Sequence, residues 1–184
     1  MSCLCTEIDN SVISTLMANE LKISLLMEEI VNESFCVSIV REKNKPAASL
    51  LTDNEILSSL KNKVGLYHLW IDQDYCADHL DHQMLCVYVG KGFAHSRIKS
   101  HLEKKWHTDE RLFITFYECP NRIAKYLEQL FLDTHDFYLN TQENGGTKYF
   151  HTMWPDDRVT NGTQLHEQAD ILAKKYPDIY NPEE

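Results

Sequence analysis

The chain has no long apolar run, no internal repeat, no low-complexity tract and no surplus of positive charge. Each absence excludes something. Nothing approaches the ~18 consecutive apolar residues that a membrane-spanning helix requires. Met1 to Asn10 carries acids and no basic leader region, so neither a membrane nor an export address is expected. The six cysteines lack the dense spacing of a disulfide scaffold, which points to a reduced, intracellular setting in cytoplasm or nucleus. With 18 basic against 28 acidic side chains, net charge −10, the chain is not built to coat nucleic acid through a uniformly basic surface.

What is present is 184 residues with 43% hydrophobic content, enough for one soluble main domain with an appendage. The charge is unevenly spread. Residues 1–60 and 121–184 each carry net −5, whereas 61–120 hold eight basic and eight acidic side chains. In that middle third Lys91, Arg97, Lys99, Lys104, Lys105 and Arg111 are interleaved with His95, His101 and His107, and a polyanion would meet this strip.

Hydrophobic period and punctuation predict the elements. Ile8 to Val31 has apolar residues at spacing nearer helical than alternating, giving one or two helices. Phe35 to Val40 reads as a strand and 43–48 as a connector. Thr52 with Glu55 forms a capping box ahead of a short helix. Val64 to Ile71, apolar on both faces, predicts a central strand. Met84 to Val89 predicts its hairpin partner, ended by Gly90-Lys91-Gly92, with polar, acidic Asp72 to Asp81 as a long connection. A helix over Ala94 to Lys105, a strand over Leu112 to Tyr117 and an amphipathic helix over Asn121 to Phe137 complete a β-β-α-β-α order. A Gly145-Gly146 break, the aromatics Tyr149, Phe150 and Trp154, and a last helix from about Thr163 to Tyr176 follow. The fold class is α/β (α+β), a small domain on an antiparallel sheet over 61–184, with a mainly helical extension over 1–60 and a C-terminal helix.

Several polar residues fall beside element ends. Tyr67 and Tyr88, paired in a hairpin, would present their phenols on one side, although tyrosine is also simply a good strand residue. Arg97 and His101 stand one helical turn apart and would offer two phosphate-seeking donors, or an ordinary solvated face. Glu128 sits among Leu127, Leu130 and Phe131; a carboxylate there must be paired, bind a cation or reach solvent at the margin.

In chain order, Gly65-Leu66-Tyr67, Val87-Tyr88-Val89-Gly90-Lys91-Gly92, Arg97-Ile98-Lys99-Ser100-His101, Glu128 and Asn140 resemble the signature of the GIY-YIG nuclease family over about residues 63 to 145. The Tyr-Val-Gly-Lys-Gly form followed by Arg-x-x-x-His is similar to its restriction-enzyme and LEM-domain branches. The β-β-α-β-α order agrees with that family's small domain. The resemblance implies a metal-dependent endonuclease acting on DNA, with Glu128 holding one magnesium or manganese ion against a phosphate oxygen. It further implies that Tyr67 orients or deprotonates the attacking water, helped by Tyr88 and Lys91. Arg97 would stabilise phosphoryl charge, His101 would contact phosphate or assist proton transfer, and Asn140 would secure the site by hydrogen bonding. Asn144 competes with Asn140 for the last position. Lys91, Lys99, Lys104 and Lys105 are the expected nucleic-acid contacts.

The chain also departs from compact members of that family. Twenty residues separate Tyr67 from Tyr88, and the inserted stretch is acidic. Within it Cys76, His79, His82 and Cys86 are all zinc-binding residue types, but their spacing matches no common zinc module and Cys86 belongs to the second strand. The net acidity supports a rival reading: a GIY-YIG-fold protein of weak or no activity that engages a protein partner, the acidic N-terminal extension being the contact. A third places the chain as a delivered toxin or effector.

Overall fold

The computed structural model describes residues 11–21, 25, 27–39, 52–106, 110–141 and 144–163. The hydrophobic period of the N-terminal segment yields helix α1 (Ser11–Leu21), which buries Ile13 and Met17, and then a single π-type turn over Glu28–Asn32. Strand β1 (Phe35–Ile39) follows. The capping box forms as the sequence predicts. Thr52 Oγ1 accepts from the Glu55 amide at 3.3 Å while Glu55 Oε2 accepts from the Thr52 amide at 2.8 Å, opening the short helix α2 (Asp53–Ile56).

The predicted hairpin forms, but without a long connection. β2 (Val64–Cys76) and β3 (Asp81–Phe93) are 13 residues each, joined by a tight turn over 77–80, so the acidic stretch extends the strands. Alternation of polar residues on both faces hid this, because the distal half of β2 stands in solvent and has no apolar period to read. Gly90-Lys91-Gly92 does not end β3 either; pairing continues through Gly65↔Gly92 to Val64↔Phe93. β3 leads into α3 (Ala94–Lys104), then β4 (Leu112–Glu118) and α4 (Asn121–Thr134). α4 stops short of the expected Phe137. Thr134 turns its hydroxyl back to the Leu130 carbonyl at 2.7 Å, and His135 adopts extended backbone.

After α4, β5 (His135–Asp136) pairs in parallel with β6 (Lys148–Tyr149). β7 (His151–Pro155), which the aromatic patch concealed, lies along the distal half of β3, and α5 (Asp156–Asn161) follows it. The expected connector at 43–48, His107 and the helix beyond Thr163 lie outside the described residues.

The result is a mixed α/β fold around a five-stranded antiparallel sheet in the order β1-β4-β2-β3-β7. β2 is the middle strand, as its two apolar faces predict. One face packs Leu66, Trp70 and Val89 under α4 with Ala124, Leu127 and Phe131; the other packs Tyr67, Leu69 and Tyr88 under α3 with Ala94, Ile98 and Leu102. Residues of the first sixty join the same body. β1 is the edge strand beside β4, and Asn32 Oδ1 accepts from Thr152 Oγ1 and Trp154 Nε1 at 3.0 Å each. Phe150 and Trp154 are core residues and Tyr149 is exposed. Among the described residues no helix is long and apolar enough to cross a membrane.

Candidate functional site

The site is assembled where β2 and β3 meet the helices on both faces. Pairing in the hairpin sets Tyr67 opposite Gly90 and Leu69 opposite Tyr88, with a bulge at Val87. Such a bulge re-aims side chains, and here it puts Val87 and Tyr88 on the same side, under α3. The two phenols therefore do share a face, their rings 6.0 Å apart and inclined by 24°. Gly90 makes this possible. A Cβ there would lie 2.5 Å from the Tyr67 hydroxyl and 2.6 Å from the Tyr88 ring, closer than any side chain tolerates.

His101, one turn beyond Arg97 on α3, completes the aromatic group. Its Nε2 is 3.1 Å from the Tyr67 hydroxyl, and its ring centre is 4.3 Å from that of Tyr88. Burial and then Lys105, Arg97 and Lys104 push His101 down to about 4, so the ring is neutral at physiological pH and accepts the phenol's hydrogen bond when the tautomer leaves Nε2 bare. Tyr67 is wholly enclosed. Burial first, and Tyr88 second, push its phenol well above the ordinary range, while Arg97 beside it pulls the other way. Tyr88 is also pushed up, mainly by burial.

Beside this group opens a pocket of about 420 Å³ lined by Tyr88, Lys91, Arg97, Lys105, Glu128, Asn140 and Thr141. Glu128 reaches it from α4, its side chain only 12% exposed, and Lys91 Nζ donates to its Oε2. Lys105 anchors on the Leu139 carbonyl at 3.1 Å and lies 4.8 Å over the Tyr88 ring. Asn140 uses both ends of its carboxamide on the backbone of Val89, accepting from N–H at 3.0 Å and donating to C=O at 2.9 Å. It thus stands in for a neighbouring strand and ties the loop after α4 to the residue next to Tyr88.

The structure accordingly brings together Tyr67, Tyr88, Lys91, Arg97, His101, Lys105, Glu128 and Asn140, with Tyr67 and His101 behind the pocket wall. Asn144 is elsewhere, donating to Asp136 and to the Phe137 carbonyl. Lys99 faces a different cavity with Asp53 and Glu103, and Lys104 lies outside the pocket. Thr141 is an unforeseen lining residue, and only its place beside Asn140 could have marked it. The Cys76, His79, His82, Cys86 set is not assembled. Cys76 Sγ meets His79 at 3.3 Å near the hairpin tip, His82 bridges Asp72 and Asp156, and Cys86 is buried in the core.

Glu128 suits a hard divalent cation, being a shielded carboxylate that opens into a polar pocket with room for water and a phosphate group. Among the described residues no group of three or more His, Cys, Asp or Glu side chains is placed to hold a metal ion, so waters and a phosphate would supply the remaining ligands at Glu128. No protein-family model matches the chain, and neither a curated protein nor a solved structure does.

Proposed function

We propose that the chain is a divalent-metal-dependent endonuclease that hydrolyses DNA phosphodiester bonds through a GIY-YIG-type site. The pocket's composition carries this reading: one shielded carboxylate stands among three cations, Lys91, Arg97 and Lys105, in a chain whose net charge is −10. That local inversion of sign suits a small anionic group such as a phosphodiester.

In this reading Arg97 and Lys105 grip the non-bridging oxygens, and Arg97 stabilises the charge that grows on them as water attacks phosphorus and the bond to the leaving oxygen breaks. Glu128 would hold a magnesium or manganese ion, which would supply charge neutralisation at the phosphate. Tyr88, the phenol on the pocket wall, orients the attacking water. Tyr67 acts from behind as a neutral phenol; its burial disfavours a phenolate base and leaves it a positioning residue that fixes His101. Asn140 holds the strand that carries Tyr88. The free thiols of Cys36 and Cys86, buried in the core, suit an enzyme of cytoplasm or nucleus.

The test is cleavage of supercoiled plasmid and of a branched DNA by the wild type and Glu128→Ala, with magnesium, manganese or chelator. Chelator-sensitive cutting that falls by about 10²-fold or more in the variant is expected. Absence of cutting, or cutting indifferent to Glu128, overturns the reading. A rival, a weakly active or inactive GIY-YIG-fold protein that engages a protein partner, is favoured by one observation: Lys91 already occupies the Glu128 carboxylate. Under that rival, neither the wild type nor Lys91→Met takes up manganese, which loss of the free-ion paramagnetic resonance signal would report.

A further inference from the structure

The junction of β3 and α3 separates two cavities. Lys91 and Arg97 line the pocket already described, and three residues between them turn the other way. Phe93, His95 and Ser96 line a second cavity of about 280 Å³, together with Lys61 and Asn62. No carboxylate lines it, in a chain with ten more acids than bases. Phe93 is 60% exposed at the end of its strand, an aromatic surface that the fold leaves in water. The Ser96 hydroxyl donates to the Phe93 carbonyl at 3.2 Å and fixes the start of α3. His95 Nε2 is shielded from solvent without a hydrogen-bond partner. Between the cavities, Gly92 has a positive φ of 104°, and a Cβ there would have no atom within 4 Å, so the backbone is open to close approach.

We propose that this second cavity is a nucleotide subsite, taking the nucleotide next to the scissile phosphate, with Phe93 stacked on its unpaired base and Lys61 on the flanking phosphate. The proposal rests on the nuclease reading and names the form of substrate, a single-stranded or splayed segment of DNA. An exposed aromatic ring beside a cation is the arrangement that holds unpaired bases without regard to sequence, since every base offers a stacking face. Gly92 lets the sugar-phosphate chain cross from one cavity to the other.

The test uses the full chain and two probes. Binding of a short fluorescein-labelled oligothymidylate is followed by anisotropy in chelator across a salt series, and hydrolysis of bis(p-nitrophenyl) phosphate is followed with magnesium. Phe93→Ala is expected to weaken oligothymidylate binding about tenfold. Lys61→Ala is expected to lower the slope of log affinity against log salt by about 0.7. Neither should change hydrolysis of the small diester, which has no adjoining nucleotide. Both substituted side chains lie at the surface, so the fold is retained. Variants that bind like the wild type, or a wild type that binds no oligothymidylate, overturn the subsite even if the small diester is hydrolysed. Binding that depends on Phe93 and Lys61 without hydrolysis of either diester or plasmid keeps the subsite and overturns the nuclease.

Discussion

The two faces of the central sheet are each covered by one main helix and are put to different uses. Under α4, Trp70, Phe131, Phe150 and Trp154 interlock with ring centres 5.2 to 5.4 Å apart along the chain of contacts. His68 is sealed among them with both ring nitrogens unpaired. Under α3 the same two strands present Tyr67 and Tyr88 to Arg97 and His101, and that group borders an open, cationic pocket. The strands have one sequence period and two products. Odd positions of β2 around Tyr67 serve the site, and even positions around His68 serve the core. A change on one face should therefore damage stability, and a change on the other should damage chemistry.

Phe131→Ala is the largest separation of the two. Phe131 is fully buried, with its ring edge-on to His68 at 4.7 Å and to Phe150 at 5.2 Å. Its truncation should cost about 3–5 kcal/mol of folding free energy, read as a lower urea midpoint, while the folded fraction keeps its wild-type rate per molecule. Glu128→Ala should show the opposite pattern, with cleavage lost and the midpoint little changed. A Phe131 variant whose folded fraction is also inactive would mean that the faces are mechanically coupled.

The pH dependence of stability comes next in size. Burial pushes His68 down to about 3, so its protonation is far easier in the unfolded chain, where an imidazole titrates near 6.5. The unfolded state then binds more protons, and stability is complete above pH 6.5 and falls as pH drops through the window from about 6.5 to about 3. At pH 5 the loss from His68 alone should be about 2 kcal/mol. Burial also pushes His101 and His135 down to about 4, so they lose stability in the same direction. Urea unfolding at pH 7 and pH 5 checks this. The difference should shrink in His68→Leu, and an unchanged difference would place the acid sensitivity on His101 and His135 instead.

How much of this is legible in the sequence follows from which residues carry a period. β2 around Tyr67, β4 and the apolar stripe of α4 were readable because both faces of a central strand, or one face of a long helix, repeat their burial. The distal hairpin from Asp72 to Asp81 was not, since its β2 side stands in solvent with no apolar face to impose a pattern. β7 was not, because Phe150 and Trp154 read equally well as a loop packed on the core. In the site, the two tyrosines could be placed by strand pairing, and Arg97 and His101 by their spacing of four. Whether Asn140 or Asn144 stood at the pocket depended on the backbone after α4, and only the structure puts Asn140 against Val89. That Lys91 meets Glu128 across 37 residues likewise follows from how α4 lies on the sheet, which no local pattern encodes.

The smallest expected effects come from the lysines, and they divide a strip that the sequence presents as uniform. Lys104 and Lys105 are neighbours, yet Lys105 is turned into the pocket by the Leu139 carbonyl and the Tyr88 ring, while Lys104 lies outside it. Each phosphate contact on a duplex should contribute about 0.9 to the slope of log affinity against log salt. Lys105→Ala should therefore lower that slope by about one unit, whereas Lys104→Ala and Lys99→Ala should leave it within error, measured by anisotropy on a labelled duplex in chelator. Lys99 shares its cavity with Asp53 and Glu103, whose carboxylates would repel a phosphate brought to it. Equal slopes lost at Lys99, Lys104 and Lys105 would instead describe a basic strip that binds nucleic acid without regard to the pocket. The face under α3 would then differ from the face under α4 in charge alone.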